Sequence, residues 1–364
     1  MPVRAEPYSA DTSRAYVEGL LPEGAQRQRI ADELGVDRSD GFALIAELGR
    51  DCPGAVTFLP PHEAGSSRET GSQEGTGSSQ ETGSRLRTAL SGDRYKLGLV
   101  RDGVDGPWGH PEPGTPSTHI AKPETGEHPE IAINEMFCMA VMRQSGVPAA
   151  KTSVERIDGE DCLVSPRFDL VWDGPNPKRV HQETFCQALG IAPGAERDSR
   201  EADAPGFAEA CGLLRAVDLK AELSTLVHVA FGNYVLGNGD AHGRNFALLF
   251  RDDGVRLAPL YDVTSTVVYD EPIETGMVLP DDVDVTTYLR GLRRVAEECG
   301  TDFGVFHIQA SCALKYVCDA IEVVAERAED EGWHAPVIDR IFEVAQDRAG
   351  RCAERLLLWD HLDM

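Results

Sequence analysis

The chain has 364 residues, 41% of them hydrophobic, enough to bury a sizeable core and to divide into two lobes. Its formal charge of −26 argues against free nucleic acid or an anionic membrane as direct partners, because phosphate binding relies on clustered Lys and Arg. No apolar leader opens the chain and no apolar run is long enough to span a bilayer, so a cytoplasmic protein is expected, one suited to docking a basic partner. Nine cysteines lie scattered without a CxxC pair, which speaks against zinc or a disulfide framework and for buried, reduced thiols.

The first sixty residues read as a small helical unit. Asp11-Thr12-Ser13 offers a cap for a helix through Leu21, and a second helix runs from about Glu23 to Leu34. A third follows Asp40, with Phe42, Leu44, Ile45 and Leu48 at helical spacing, and Ala55 to Leu59 reads as a strand closed by Pro60-Pro61. From Ala64 to Ser84 the chain is almost wholly Gly, Ser, Thr, Glu and Gln and repeats itself, so it is expected to be a flexible linker.

Order resumes with Leu86 to Leu90, a turn at Ser91-Gly92, and a strand from Tyr95 to Val100. Thr118 to Lys122 is another strand. A helix from about Ile131 to Ser145 follows, with Met136, Phe137, Met139, Ala140 and Met142 largely on one side. Two strands flank the turn at Asp158-Gly159, the second running into Val164-Ser165-Pro166-Arg167-Phe168. Beyond Gln182 the pattern is mostly helical: Ala221 to Leu236, then helices near 281–298, 303–328 and 335–360. Strands with one helix, followed by a helical half, give the expected fold class: α+β and two-lobed, protein-kinase-like, with a smaller mixed N-terminal lobe and a mostly helical C-terminal lobe.

The most informative stretch is Gly237-Asn238-Gly239-Asp240-Ala241-His242-Gly243-Arg244-Asn245, followed by Leu257 to Val263. Asp240, Asn245 and Asp262 each stand at the edge of an apolar run, in the order that phosphoryl transfer from ATP requires. One carboxylate orients the attacking hydroxyl, while an amide oxygen and a second carboxylate hold Mg2+. The strand Phe246 to Phe250, a turn at Asp252-Asp253-Gly254 and a return strand bring Asp262 back beside the loop. Singly, these residues would pass for turn formers and a surface acid; their combination reads as a kinase active site.

The other parts of an ATP site can be assigned. Lys122 ends a strand, where a kinase keeps the lysine that reaches the phosphates, and Glu135 on the next helix is its expected ion-pair partner. Ser91, Gly92, Asp93, Arg94, Tyr95 and Lys96 form the candidate loop over the phosphates. Pro166, Arg167 and Phe168 are the candidate adenine-contacting hinge, and His242 joins the nucleotide-contacting set. Asp302-Phe303-Gly304 spells a magnesium-binding triplet but opens a helix, where Asp302 is expected to be an N-cap.

With these residues in hand, the chain resembles the HipA-like serine/threonine kinases, the toxin halves of bacterial toxin–antitoxin pairs. The blocks that carry the resemblance run from Glu18 onward. They are EGLLPEG at Glu18 to Gly24, ELGRDCPGAV at Glu47 to Val56, STHIAKPE at Ser117 to Glu124, NEMFCMAVMRQSGVP at Asn134 to Pro148, HQETFCQALG at His181 to Gly190, and the Asp240 and Asp262 segments. The resemblance implies Asp240 as the catalytic aspartate, Asn245 and Asp262 as magnesium ligands, and Lys122 as the phosphate-binding lysine. It implies phosphorylation of a serine or threonine in a protein target, an aminoacyl-tRNA synthetase being the class known for the family, and a small helix-turn-helix antitoxin (HipB-like) as partner, through which DNA contact would run.

The implied organisation is a partial HipA N-terminal-type subdomain over 1–62, the linker over 63–85, a kinase N-lobe over 86–180 and the helical C-lobe over 181–364. The family's full-length members open with a small β-rich subdomain, and this chain is expected to start after it: either its start is truncated or mis-called, or a separate short protein supplies that piece. Where the family's phosphate loop reads Gly-x-Gln-x-Lys, this chain has Gly92-Asp93-Arg94-Tyr95-Lys96, and Pro166 stands where an acidic residue is common. Self-silencing by autophosphorylation is expected at Ser91, where about two added negative charges would repel the nucleotide's phosphates. Two other classes compete: a small-molecule kinase of the aminoglycoside type, and a non-catalytic protein that keeps the fold as an antitoxin-binding corepressor.

Overall fold

The computed structural model describes residues 6–59, 90, 94–101, 103, 106–112, 114–174, 177–191, 205–271, 277, 279 and 285–358. The expected linker, the strand before Leu90, and Ser91, Gly92 and Asp93 lie outside them.

Three short helices open the chain: α1 (Ala10–Glu18), α2 (Gly24–Leu34) and α3 (Gly41–Leu48). Asp40 caps α3, its carboxylate accepting from the Ala43 N–H at 2.9 Å. The helices close on their own apolar cluster around Leu20, Leu21, Leu44 and Leu48. Phe42, expected on that face, points outward and is 81% exposed. The segment expected as a strand at 55–59 forms none. Phe58 N–H donates to the Gly49 carbonyl at 2.8 Å, and among the described residues no strand pairs with the segment.

A five-stranded antiparallel sheet follows, ordered β2-β1-β3-β5-β4, from β1 (Leu97–Arg101), β2 (Trp108–Gly109), β3 (His119–Pro123), β4 (Ser153–Ile157) and β5 (Glu160–Pro166). Asp158 and Gly159 both take positive φ, as the two-residue turn between β4 and β5 demands. Helix α4 (Ile131–Gln144) packs on β5 and also against the helical lobe. Residues 137–142 are all buried, so the one-sided face expected here does not hold: a helix sandwiched between sheet and bundle is apolar all round. After a two-stranded ribbon of β6 (Leu170–Trp172) and β7 (Pro177–Arg179) comes β8 (His181–Thr184), which leads into α5 (Phe185–Leu189) through a capping box of Thr184 and Gln187.

The helical lobe holds α6 (Phe207–Ala216), α7 (Leu223–Leu236), α8 (Val285–Glu298), α9 (Phe303–Glu331) and α10 (Pro336–Leu357). The hairpin β9 (Ala247–Arg251) and β10 (Gly254–Leu257) forms as expected, but β8 joins it as a third strand. Asp302 caps α9, its carboxylate accepting from the Gly304 and Val305 N–H groups at 3.0 and 3.1 Å, which is the role read from sequence. Cys211 on α6 and Cys299 after α8 form a disulfide, Cα atoms 5.3 Å apart. The expectation of reduced thiols fails for that pair because the packing of α6 on α8 joins residues 88 apart in sequence, a closeness no spacing rule reveals. The other seven cysteines are free.

Candidate active site

Helix α7 delivers the loop that carries Asp240. Its C-terminal turn is fixed by Phe231, Tyr234, Val235 and Leu236, all fully buried, each worth about 1.5–3 kcal/mol of transfer free energy. Arg348 on α10 donates to the Tyr234 carbonyl at 2.9 Å and lies over its ring. Gly237 then ends the helix at φ +70, where a Cβ would meet Val267 Cγ2 at 2.3 Å. Gly237→Ala is therefore expected to cost about 1–3 kcal/mol, readable by denaturant unfolding.

From there the chain is held by its own polar groups. The Asp240 N–H donates to Asn238 Oδ1 at 3.1 Å, and Gly239 N–H donates to Thr266 Oγ1 at 2.9 Å. Asn245 Nδ2 donates to the Asp240 carbonyl at 2.9 Å, which leaves its amide oxygen as the atom able to face a cation. The Asp240 side chain is 58% exposed, and His242 Nε2 stands 3.6 Å from it.

The return segment is anchored to the same loop. Tyr261 donates its hydroxyl to the Arg244 carbonyl at 2.6 Å, and Asp262 follows at φ +62. Asn134 on α4 receives the Ser265 N–H at 2.8 Å and donates to the Ser265 carbonyl at 3.0 Å. That two-way bond ties the helix bearing Glu135 to the segment bearing Asp262.

Between them lies a compact charge cluster. Lys122 Nζ, on β3, donates to Glu135 Oε1 at 2.6 Å and also pairs with Asp262. Lys96 reaches the other oxygen of Asp262 at 3.1 Å, and Arg94 holds the second oxygen of Glu135 at 2.7 Å. Burial pushes the Asp262 carboxyl up, but Lys122 and Lys96 outweigh it and hold the group well below the usual carboxylate range. Burial pulls the Lys96 ammonium down, against the opposing pull of Asp262. Among the described residues, three cations meet two carboxylates here, a set able to hold an anion such as a phosphate chain.

These groups line a cleft whose walls include Ile120, Met139, Leu163 and Tyr261, a mostly apolar lining with a few convergent polar groups, as in small-molecule sites. Pro166, exposed at the end of β5, and Phe168 line it too, with the Phe168 and Tyr261 rings 5.5 Å apart. Asp240 and Asn245 are outside this lining.

Arg167, expected at the hinge, does different work. Its guanidinium is 1% exposed and pairs with Asp51 at 2.8 Å and Asp169 at 2.7 Å. It also donates to Ser117 Oγ and the Cys52 carbonyl, while its backbone N–H donates to the Thr118 carbonyl. Counting two bonds to Asp169, five guanidinium bonds are spent within the protein, so the side chain binds the N-terminal helical unit to the sheet lobe, while Arg167 still lines the cleft.

Sequence reasoning missed Asp51, Asn134, Asp169 and Tyr261. An acid before Cys52-Pro53-Gly54 and an Asn in the first turn of an apolar helix were the available signals, but neither names its distant partner.

For a metal, the donor chemistry fits. Among the described residues no group of three or more His, Cys, Asp or Glu could hold an ion alone. Magnesium bound by one or two protein oxygens and the substrate's phosphates needs none, and Asn245 and Asp262 are hard oxygen donors on adjoining segments.

A twisted antiparallel sheet with a strand Lys–helix Glu pair, set on a helical lobe that carries an Asp/Asn loop, is a protein-kinase-like fold. The model of the HipA-like C-terminal domain matches residues 88–330 and that of the HipA N-terminal domain residues 1–59, so the chain belongs to the HipA-like family. It is 36% identical over 291 residues to the kinase-like protein Y4mE of Sinorhizobium fredii, covering 74% of this chain and 68% of that one. It is 26% identical over 294 residues to the serine/threonine-protein kinase toxin HipA of Shewanella oneidensis, covering 74% and 67%. The chain thus spans about two thirds of the length of these relatives. A solved complex of Shewanella oneidensis HipA with HipB and operator DNA matches with a TM-score of 0.74 at 20% identity, over 97% of this chain and 88% of that one, and shares the fold. The expectation that this chain avoids nucleic acid rests on its charge alone and draws no support from that complex. No helix among the described residues is long and apolar enough to cross a membrane.

Proposed function

We propose that the chain is an ATP-dependent serine/threonine protein kinase acting as the toxin of a toxin–antitoxin module. The observation that carries this reading is the convergence of Lys122, Glu135 and Asp262 in one cleft, beside a loop in which Asn245 braces Asp240. Lys122 and Lys96 hold the nucleotide's phosphates, and Asn245 and Asp262 hold magnesium, which supplies charge neutralisation when bound. Asp240, outside the cleft and half open to solvent, orients the incoming hydroxyl and accepts its proton. Its exposure suits a protein substrate, whose serine or threonine must arrive from bulk solvent.

The partner we propose is a HipB-like helix-turn-helix antitoxin, in line with the solved relative, and the target class a translation protein such as an aminoacyl-tRNA synthetase. We take residues 1–62 as the family's partial N-terminal subdomain and Ser91, outside the described residues, as the autophosphorylation site. Incubation with γ-labelled ATP, magnesium and cell lysate tests this. Label is expected on Ser or Thr of one lysate protein and on Ser91 of the chain, the latter absent in Ser91→Ala. Label on small molecules alone would count against a protein kinase.

A further inference from the structure

Pro53 belongs to the N-terminal unit by sequence and to the cleft by position. It follows α3 in the segment Asp51-Cys52-Pro53-Gly54 and lines the cleft together with Phe168, Asp169 and Gln182. Asp51, Cys52 and Gly54 are buried, while Pro53 itself is half-buried. Bonds on both sides hold it there. Before it, Asp51 pairs with Arg167 at 2.8 Å and with Arg179 at 2.5 Å. The Cys52 carbonyl accepts from the same two guanidinium groups at 2.8 and 2.9 Å. After it, the Gly54 N–H donates to the Asp169 carboxylate at 2.6 Å. Gly54, at φ +77, packs so close to β8 that a Cβ would stand 2.7 Å from the Gln182 nitrogen. Three of these anchors, Arg167, Asp169 and Gln182, line the cleft themselves. A proline suits the place, since its φ is fixed and it has no N–H to satisfy against an apolar ligand.

This end of the cleft lies away from the charge cluster. Between β3 and β5, Lys122 pairs with Leu163 and His119 with Pro166, so Pro166 lies three residues, about 10 Å, along the strand from the lysine's partner. Arg167, Phe168 and Asp169 continue the chain from that point, and the Pro53 segment is fastened to them. We infer that Pro53 is a specificity-determining residue whose ring forms one wall for the base and ribose of the nucleotide, while Lys122 and Lys96 meet its phosphates. The N-terminal unit is then part of the nucleotide site. An apolar ring gains by covering a base and a sugar face, and a bare phosphate chain gains nothing from it. The inference rests on the kinase reading of the cleft.

The test is Pro53→Ala, with three probes titrated by calorimetry: ATP with magnesium, adenosine, and inorganic tripolyphosphate with magnesium. Affinity for ATP and for adenosine is expected to fall about three- to tenfold, and that for tripolyphosphate by less than about twofold. In turnover the KM for ATP should rise by the same factor with kcat unchanged, as for a contact made alike in ground and transition states. Phe42→Ala, at an exposed position of the same unit, should change none of these. Unchanged ATP affinity in Pro53→Ala overturns the inference, as does an equal loss for tripolyphosphate, which would mean a general distortion of the cleft. A wild type that binds tripolyphosphate but not adenosine also overturns it and leaves the phosphate site standing. A wild type that binds none of the three sinks the kinase reading and the inference together. Should Pro53→Ala not fold, photolabelling of the wild type with 8-azido-ATP, competed by ATP, decides: label within residues 51–54 supports the wall, and label confined to other segments overturns it.

Discussion

Asp240→Asn is expected to lower kcat for phosphoryl transfer by about 10²–10⁴-fold while nucleotide affinity stays close to that of the wild type. The separation follows from geometry. Asp240 lies outside the cleft lining and its side chain is 58% exposed, whereas Lys122 and Lys96, proposed to meet the phosphates, line the cleft with side chains 9% and 10% exposed. The substitution also spares the backbone: the bonds that shape the loop use the Asp240 N–H and carbonyl, not its carboxylate. An Asp240→Asn protein that loses ATP binding as well as turnover would mean that the carboxylate acts on the nucleotide or its metal. Titration with a fluorescent ATP analogue beside a rate measurement distinguishes the two.

Arg167→Ala is expected to be the most damaging single change to stability, by about 3–5 kcal/mol and roughly 5–15 °C in Tm. The guanidinium sits between Asp51 and Asp169, both 5% exposed at the side chain. Asp51 keeps Arg179 at 2.5 Å after the change, but Asp169 keeps only the Gly54 N–H at 2.6 Å. A buried carboxylate left with one neutral donor is a heavy cost, and the two acids stand on the units the arginine joins. The hinge contacts expected from sequence use backbone groups of Pro166 and Phe168 and make no forecast for this side chain; a melting curve checks the predicted loss of stability. Arg167→Lys should fall between, since one ammonium cannot replace a fork that spans both acids, a serine and a carbonyl.

These two residues mark what was legible in the sequence. The loop bearing Asp240 and Asn245 and the hairpin leading to Asp262 were legible because turn chemistry fixes the path between them; the roles of the three residues are the proposal above. Lys122 and Glu135 were readable for the same reason, as neighbours on a strand and the following helix. Helices α7, α9 and α10 were plain from their length and apolar content. The structural use of the Arg167 side chain was not legible because it depends on Asp51, 116 residues away, and no local pattern records a pairing at that distance. The third strand, β8, has ladder partners in β9 that follow it by a whole helical section, and the Cys211–Cys299 bond depends in the same way on two helices meeting.

The most direct test is transfer of the γ-phosphate of ATP, with magnesium, by the purified chain, comparing wild type with Asp240→Asn. Label on a serine or threonine of the wild-type chain or of an added protein, and its loss in the variant, is the expected result. Equal labelling in both, or none in a wild type that binds ATP, would contradict the assignment of Asp240 and with it the kinase reading of the cleft.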